Sequence, residues 1–215
     1  MVDKFLDDLK RKYSMSEVDT QGFDGIKVMG MTFNIKAYKA EGLGHISAMT
    51  AKGFLGLMRM DTLIITPLEK DLPLYSYDRI FAFGKDTLMV EMFDTMLGSF
   101  NSDELKKITD AYKELPETDP GEHWYDGIKL GGIAKKGKRK ISSRLDEMAM
   151  AHFEAFLKAD ASDVCDLETK RSKSAYYVEG LLKNGGPSTD VFKKAIGDEK
   201  TAELFRKVLF GTNEE

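Results

Sequence analysis

The sequence predicts an α+β fold in which one central, mostly antiparallel sheet carries helices on its faces. Two changes of period predict it. Apolar residues recur at helical spacing at the start, alternate with period two from about Ile26 to Asp94, and return to helical spacing after Ser102. The alternating segments follow one another through short glycine-bearing connections, too short for the crossover helices that parallel strands need. Strands first and helices mostly after, in 215 residues, point to a single domain over residues 1–215.

Val2, Phe5, Leu6, Leu9 and Tyr13 share one helical stripe, so the chain opens on an amphipathic helix. IKVMGMTFNIKAY then reads as one strand, with Met29, Met31, Phe33, Ile35 and Ala37 on one face. LGHISAMTA, FLGLMRMDTLIIT, YSYDRIFAF and TLMVEMFDT supply four more. Ser102, ahead of Asp103 and Glu104, caps a helix to about Leu115. ETDPGEHWYDG is turn-rich, and its His123, Trp124 and Tyr125 form either a pocket rim or a packed turn. YDGIKLGGIAKKG returns one strand to the sheet. Leu145, Met148, His152, Phe153 and Phe156 mark a further helix, and Asp166 to Lys183 another. NGGPS breaks that helix, Ser188 caps the next and Gly197 ends it. Asp198 caps a last helix bearing Leu204, Phe205, Val208 and Leu209.

Composition excludes several classes of function. A formal net charge of −4 argues against a surface given over to nucleic acid. One cysteine, Cys165, rules out an internal disulfide, and no two of His45, His123 and His152 stand at zinc-ligand spacing. No apolar run reaches the roughly 18 residues of a membrane span, and the opening MVDKFLDDLKRKYSM is charged and periodic, unlike a signal peptide. A cytoplasmic protein without membrane or nucleic-acid partners is expected. No phosphate-binding loop, dinucleotide fingerprint or nucleophile elbow is present.

Two acids stand out. In YSYDRIFAF the alternation puts Leu74, Ser76, Asp78, Ile80 and Ala82 on one face, so Asp78 lies in a small or apolar stripe of a central strand. Such a carboxylate is paired with Arg59 or Arg79, open to a ligand pocket, or held protonated. A buried carboxyl with a raised pKa is suited to delivering a proton at neutral pH. On the preceding strand Arg59, Asp61, Leu63 and Ile65 share a face. Asp61 either pairs with Arg59 or joins Asp78 over one pocket, where coupling would spread the two pKa values.

These segments resemble the ferredoxin-dependent bilin reductases, a family related in fold to red chlorophyll catabolite reductase. The resemblance lies in Leu72, Pro73, Leu74 and Tyr75 followed by Asp78, in FGKDTLMVEMFDT, and in a tail marked by Asn184, Thr189, Phe192, Ile196, Gly197, Ala202, Phe205, Leu209 and Phe210. It implies a three-layer α/β/α sandwich. It also implies proton-coupled reduction of an open-chain tetrapyrrole, with no bound cofactor and with external reduced ferredoxin as electron donor. On that reading Asp78 matches the aspartate that protonates the pigment, Asp61 tunes or relays the proton, and the pocket lies between the sheet and the C-terminal helices. The family's glycine two places before the aspartate is Ser76 here, and its pocket glutamate falls near Ser47 or Met49, so these three are expected against the substrate. Those departures leave a non-catalytic tetrapyrrole or hydrophobic-ligand binder on the same scaffold as the alternative. The basic residues Lys135, Lys136, Lys138, Arg139, Lys140 and Arg144 either dock an acidic ferredoxin, meet the propionates of a tetrapyrrole or a phosphate backbone, or form a solvated flank.

Overall fold

The computed structural model describes residues 1–213 and shows an eight-stranded sheet between two layers of helices. The strands are β1 (Met15–Val18), β2 (Ile26–Val28), β3 (Met31–Ala40), β4 (Gly44–Gly53), β5 (Met58–Pro67), β6 (Leu74–Ala82), β7 (Lys85–Phe93) and β8 (Lys129–Lys138). Their order is β1-β3-β4-β5-β6-β7-β8, with β2 also on β3, and every pairing is antiparallel. From β3 to β7 each strand pairs with its successor, as short connections require.

Each strand alternates between two cores. Leu63, Ile65, Tyr75, Tyr77, Leu88 and Val90 point into one, where Phe5 and Leu9 of α1 (Val2–Lys12), Leu105 of α2 (Asp103–Ala111) and Phe153 and Phe156 of α3 (Ser142–Lys158) cover them. Phe33, Ile35, Met49, Ile64, Leu74 and Phe93 point into the other. That core is covered by α4 (Leu167–Asn184), α5 (Pro187–Ile196) and α6 (Asp198–Glu203), which continues as π-helical turns over Leu204–Leu209. The expected α/β/α sandwich is present.

The differences are local. Met29 is not in a strand: with Gly30 it forms a two-residue turn, both residues at positive φ, joining β2 to β3. The strand read from Phe54 begins at Met58, and Phe54–Gly56 is a short helical turn. Phe83 leaves β6 to make a second such turn with Gly84. α2 stops at Ala111, short of Leu115. Gly186 and Gly197, not Ser188 and Asp198, occupy the N-cap positions of α5 and α6. Asp166 does cap α4, accepting from the Thr169 amide.

One buried cluster sets the entry to β6. Lys170 on α4, fully buried, donates to the Leu72 carbonyl at 2.6 Å and lies 3.3 Å from Asp71. Burial lowers its pKa to about 8, opposed by the Asp71 carboxylate. The Leu97 and Gly98 amides donate to Asp71 and, with Lys170, hold its pKa below the usual value against the opposing effect of burial. The Leu72–Pro73 turn is thereby tied to α4, and the Leu74 amide donates to the Thr95 hydroxyl.

Candidate functional site

A cleft of about 350 Å³ opens between the sheet and the C-terminal helices. Its floor is made by Met49 of β4, Met60, Thr62 and Ile64 of β5, Ser76, Asp78 and Ile80 of β6, and Met89 and Glu91 of β7. Tyr177 and Leu181 of α4 and Phe205, Leu209 and Phe210 at the end of the chain's last helix form its roof. His123 and Tyr125 close one side, their rings stacked 4.8 Å apart. Apolar and thioether walls around a few polar groups are what a large, flat organic ligand needs.

Asp78 is the acid of this floor. The Thr62 hydroxyl, directly across the β5–β6 ladder, donates to its Oδ1 at 2.5 Å, and the Ser76 hydroxyl lies 3.4 Å from its Oδ2. Burial among the surrounding side chains pushes its pKa up to about 6, against the Thr62 and Ser76 hydrogen bonds and helped by the Glu91 carboxylate. No basic group lies within ion-pair distance of it among the described residues. Arg79 faces the opposite core and is bound by Asp86 at 2.5 and 2.9 Å, while Arg59 sits 3.7 Å from Asp61. The carboxyl is therefore desolvated, open to the cleft, and divided between its acid and base forms near pH 6.

Asp61 is not part of the cleft, which corrects the expectation of two acids over one pocket. Its cross-strand partner is Arg79, whereas that of Asp78 is Thr62, so the two acids project from opposite faces. Asp61 is buried beside Arg59 and the Met1 amino nitrogen, 3.5 Å away. Met49 and Ser76 do line the cleft. Ser47 does not reach it: the side chain is buried and its hydroxyl donates to the Leu209 carbonyl, pinning the last helix to β4.

The second carboxylate is one the sequence reading passed over. Glu91 lies across from Ser76 on β7, faces the cleft, and is held by Lys129 of β8 at 2.6 Å. The signal was present in TLMVEMF, where Glu91 shares its alternation with Met89 and Phe93, opposite Leu88, Val90 and Met92. Tyr125 and Tyr177 carry phenols raised above their ordinary pKa, first by burial, so they remain protonated donors. The His123 Nδ1 is buried without a hydrogen-bond partner among the described residues. GEHWYDG is thus both the rim and a packed turn, with Trp124 against Gly180 and Tyr177 of α4.

The basic run is split by the sheet. Lys135 is buried on the far face, donating to the Leu115 carbonyl and to Glu117, so it cannot join an exposed docking patch. Lys136, Lys138, Arg139 and Lys140 are exposed. Among the described residues no group of three His, Cys, Asp or Glu side chains gathers as metal ligands would, and no helix is long and apolar enough to cross a membrane.

Fold and cleft together define a class of protein: an α/β/α sandwich that keeps a carboxyl of near-neutral pKa under a roof of C-terminal helices. No family model matches the chain, and no curated protein matches it in sequence. Among solved structures, phytochromobilin synthase from tomato in complex with biliverdin is similar over 98% of this chain and 82% of that one, with a TM-score of 0.80 at 13% identity. The chain therefore shares the fold of the tomato enzyme.

Proposed function

We propose that this chain is a distant bilin reductase, a single domain working in the cytoplasm. It would bind an open-chain tetrapyrrole in the cleft and reduce it with electrons from external ferredoxin, carrying no redox group of its own. The observation that carries the reading is the Asp78 carboxyl, raised to about 6, on the floor of a methionine- and aromatic-lined cleft. The fold supports it, since the similar tomato enzyme holds biliverdin.

Reducing one double bond of the pigment takes two electrons and two protons. Reduced ferredoxin delivers the electrons singly, and Asp78 delivers a proton to the pigment and recovers one from solvent before the second transfer. Thr62 fixes the carboxyl by binding Oδ1. Glu91, anchored by Lys129, disfavours the ionised form of Asp78 and so keeps a proton available. Tyr125, Tyr177 and the His123 nitrogen, which has no partner among the described residues, would meet polar groups of the pigment. Asp61 has no part in this scheme.

An anaerobic absorbance titration with biliverdin, followed by reduced ferredoxin, tests the reading. A shifted complex whose spectrum then changes with turnover is expected. Binding without any later change would replace reduction by the binder reading, and no binding would overturn both.

A further inference from the structure

One end of the sheet presents a row of exposed apolar turns. Met29, Phe54, Leu55, Leu57 and Phe83 are all at least half exposed, and Leu55 projects fully, at 105% of its reference area. They sit on three turns brought together by the ladder. Met31, next to the Met29 turn, pairs with Gly53, and the Phe83 amide donates to the Leu57 carbonyl. At about 4.8 Å per strand, the three tips span roughly 15–20 Å of one edge.

Two further features separate this edge from ordinary surface. Met29, Phe54, Leu55 and Phe83 all hold φ between 48° and 54°, a left-handed conformation that bulky side chains rarely adopt and glycine or asparagine would take more easily. Strain of this kind recurs at four apolar residues on the three tips. The charge is also one-sided. Across residues 27–31, 52–59, 81–85 and 138–140 every charged residue is basic, in a chain whose net charge is −4. Behind them Asp61 and Asp86 are buried and paired.

We propose that this edge docks on an anionic lipid surface, the apolar tips entering the headgroup region while Lys52, Arg59, Lys85, Lys138 and Arg139 meet lipid phosphates. Separated, exposed tips suit a fluid surface better than the packed core of a protein interface, and the uniform positive charge supplies the complement. The cleft opens nearby, since Ile80 and Lys136 lie two residues from the Ala82, Lys85 and Lys138 rung. The sequence showed no membrane signal because the patch is assembled from turns far apart in the chain. The inference does not depend on what the cleft holds.

Flotation of the full chain with vesicles tests it. The chain should float with phosphatidylcholine vesicles containing about 30% phosphatidylglycerol, not with phosphatidylcholine alone, and release in about 0.5 M salt. Leu55→Asn with Phe83→Asn should cut binding about tenfold or more while the thermal midpoint holds or rises, because asparagine relieves the left-handed strain. Lys85→Gln with Arg139→Gln should weaken binding roughly fivefold per charge. Failure of the parent to float, or an Asn variant that floats like the parent, overturns the proposal. So would a concentration-dependent dimer, or capture by an acidic protein such as ferredoxin, that is lost in the Asn variant without any flotation of the parent.

Discussion

Asp78→Asn isolates the cost of holding a carboxylate in the cleft. Its pKa rises from 3.8 to about 6 on folding, chiefly through burial. At about 1.4 kcal/mol per pKa unit, the ionised form costs the folded state about 3 kcal/mol. The folded chain binds this proton more tightly than the unfolded one, so stability falls as pH rises from 3.8 towards 6, and the whole penalty is present above 6. Asparagine keeps the shape and an Oδ1 acceptor for Thr62 but has no charge. The variant should therefore exceed the parent by about 1 kcal/mol near pH 4.5 and about 3 kcal/mol at pH 8. Urea denaturation of both chains across that range measures it. A gap that does not change with pH, or a parent more stable at pH 8, would refute the assignment of a raised pKa. In the proposed reaction the same variant should keep pigment binding and lose reduction by orders of magnitude.

Four further outcomes follow from particular contacts. Glu91→Gln removes the neighbouring charge that helps burial raise Asp78, so the alkaline limb of the pH–rate profile, where Asp78 loses the proton it must donate, should move to lower pH; an unmoved limb would take Glu91 out of the proton's environment. His152, buried against Tyr75, has its pKa lowered by burial from 6.5 to about 4, so its contribution, about 3 kcal/mol, is present above 6.5 and lost as pH falls towards 4. That trend opposes the one from Asp78, and the excess stability of the parent over His152→Gln should shrink on acidification in urea titrations. Gly180→Ala places a Cβ 2.0 Å from the Trp124 ring and should cost about 1–3 kcal/mol despite the better helix propensity of alanine, with a red shift in the emission of the single tryptophan. Asp71→Ala strands the buried Lys170 ammonium and two backbone amides, and a loss of about 3–5 kcal/mol in urea denaturation is expected; parent-like stability would mean that solvent reaches the site.

Local pattern determined much of this protein. Period two marked the strands from β3 to β8, period 3.6 marked the helices, and short connections forced antiparallel order. Alternation alone put Asp78 with Ser76 and Ile80 on the face that becomes the cleft floor. What it could not decide was how the faces of neighbouring strands match. Asp61 and Asp78 each looked like an acid in an apolar stripe, and only the pairing of Asp61 with Arg79, and of Thr62 with Asp78, put them on opposite sides. A slip of one residue would reverse that result, because the side-chain period is two and the register is set by contacts across strands. The same holds for Lys135, which its segment marks as one of a basic run and the sheet buries on the far face. Met29, Phe54 and Phe83 fit a strand by composition, and turn geometry made them exposed tips. Which apolar and charged residues meet in the cleft and along the tip edge was decided by the tertiary structure, since it joins atoms far apart in the chain that no local period relates.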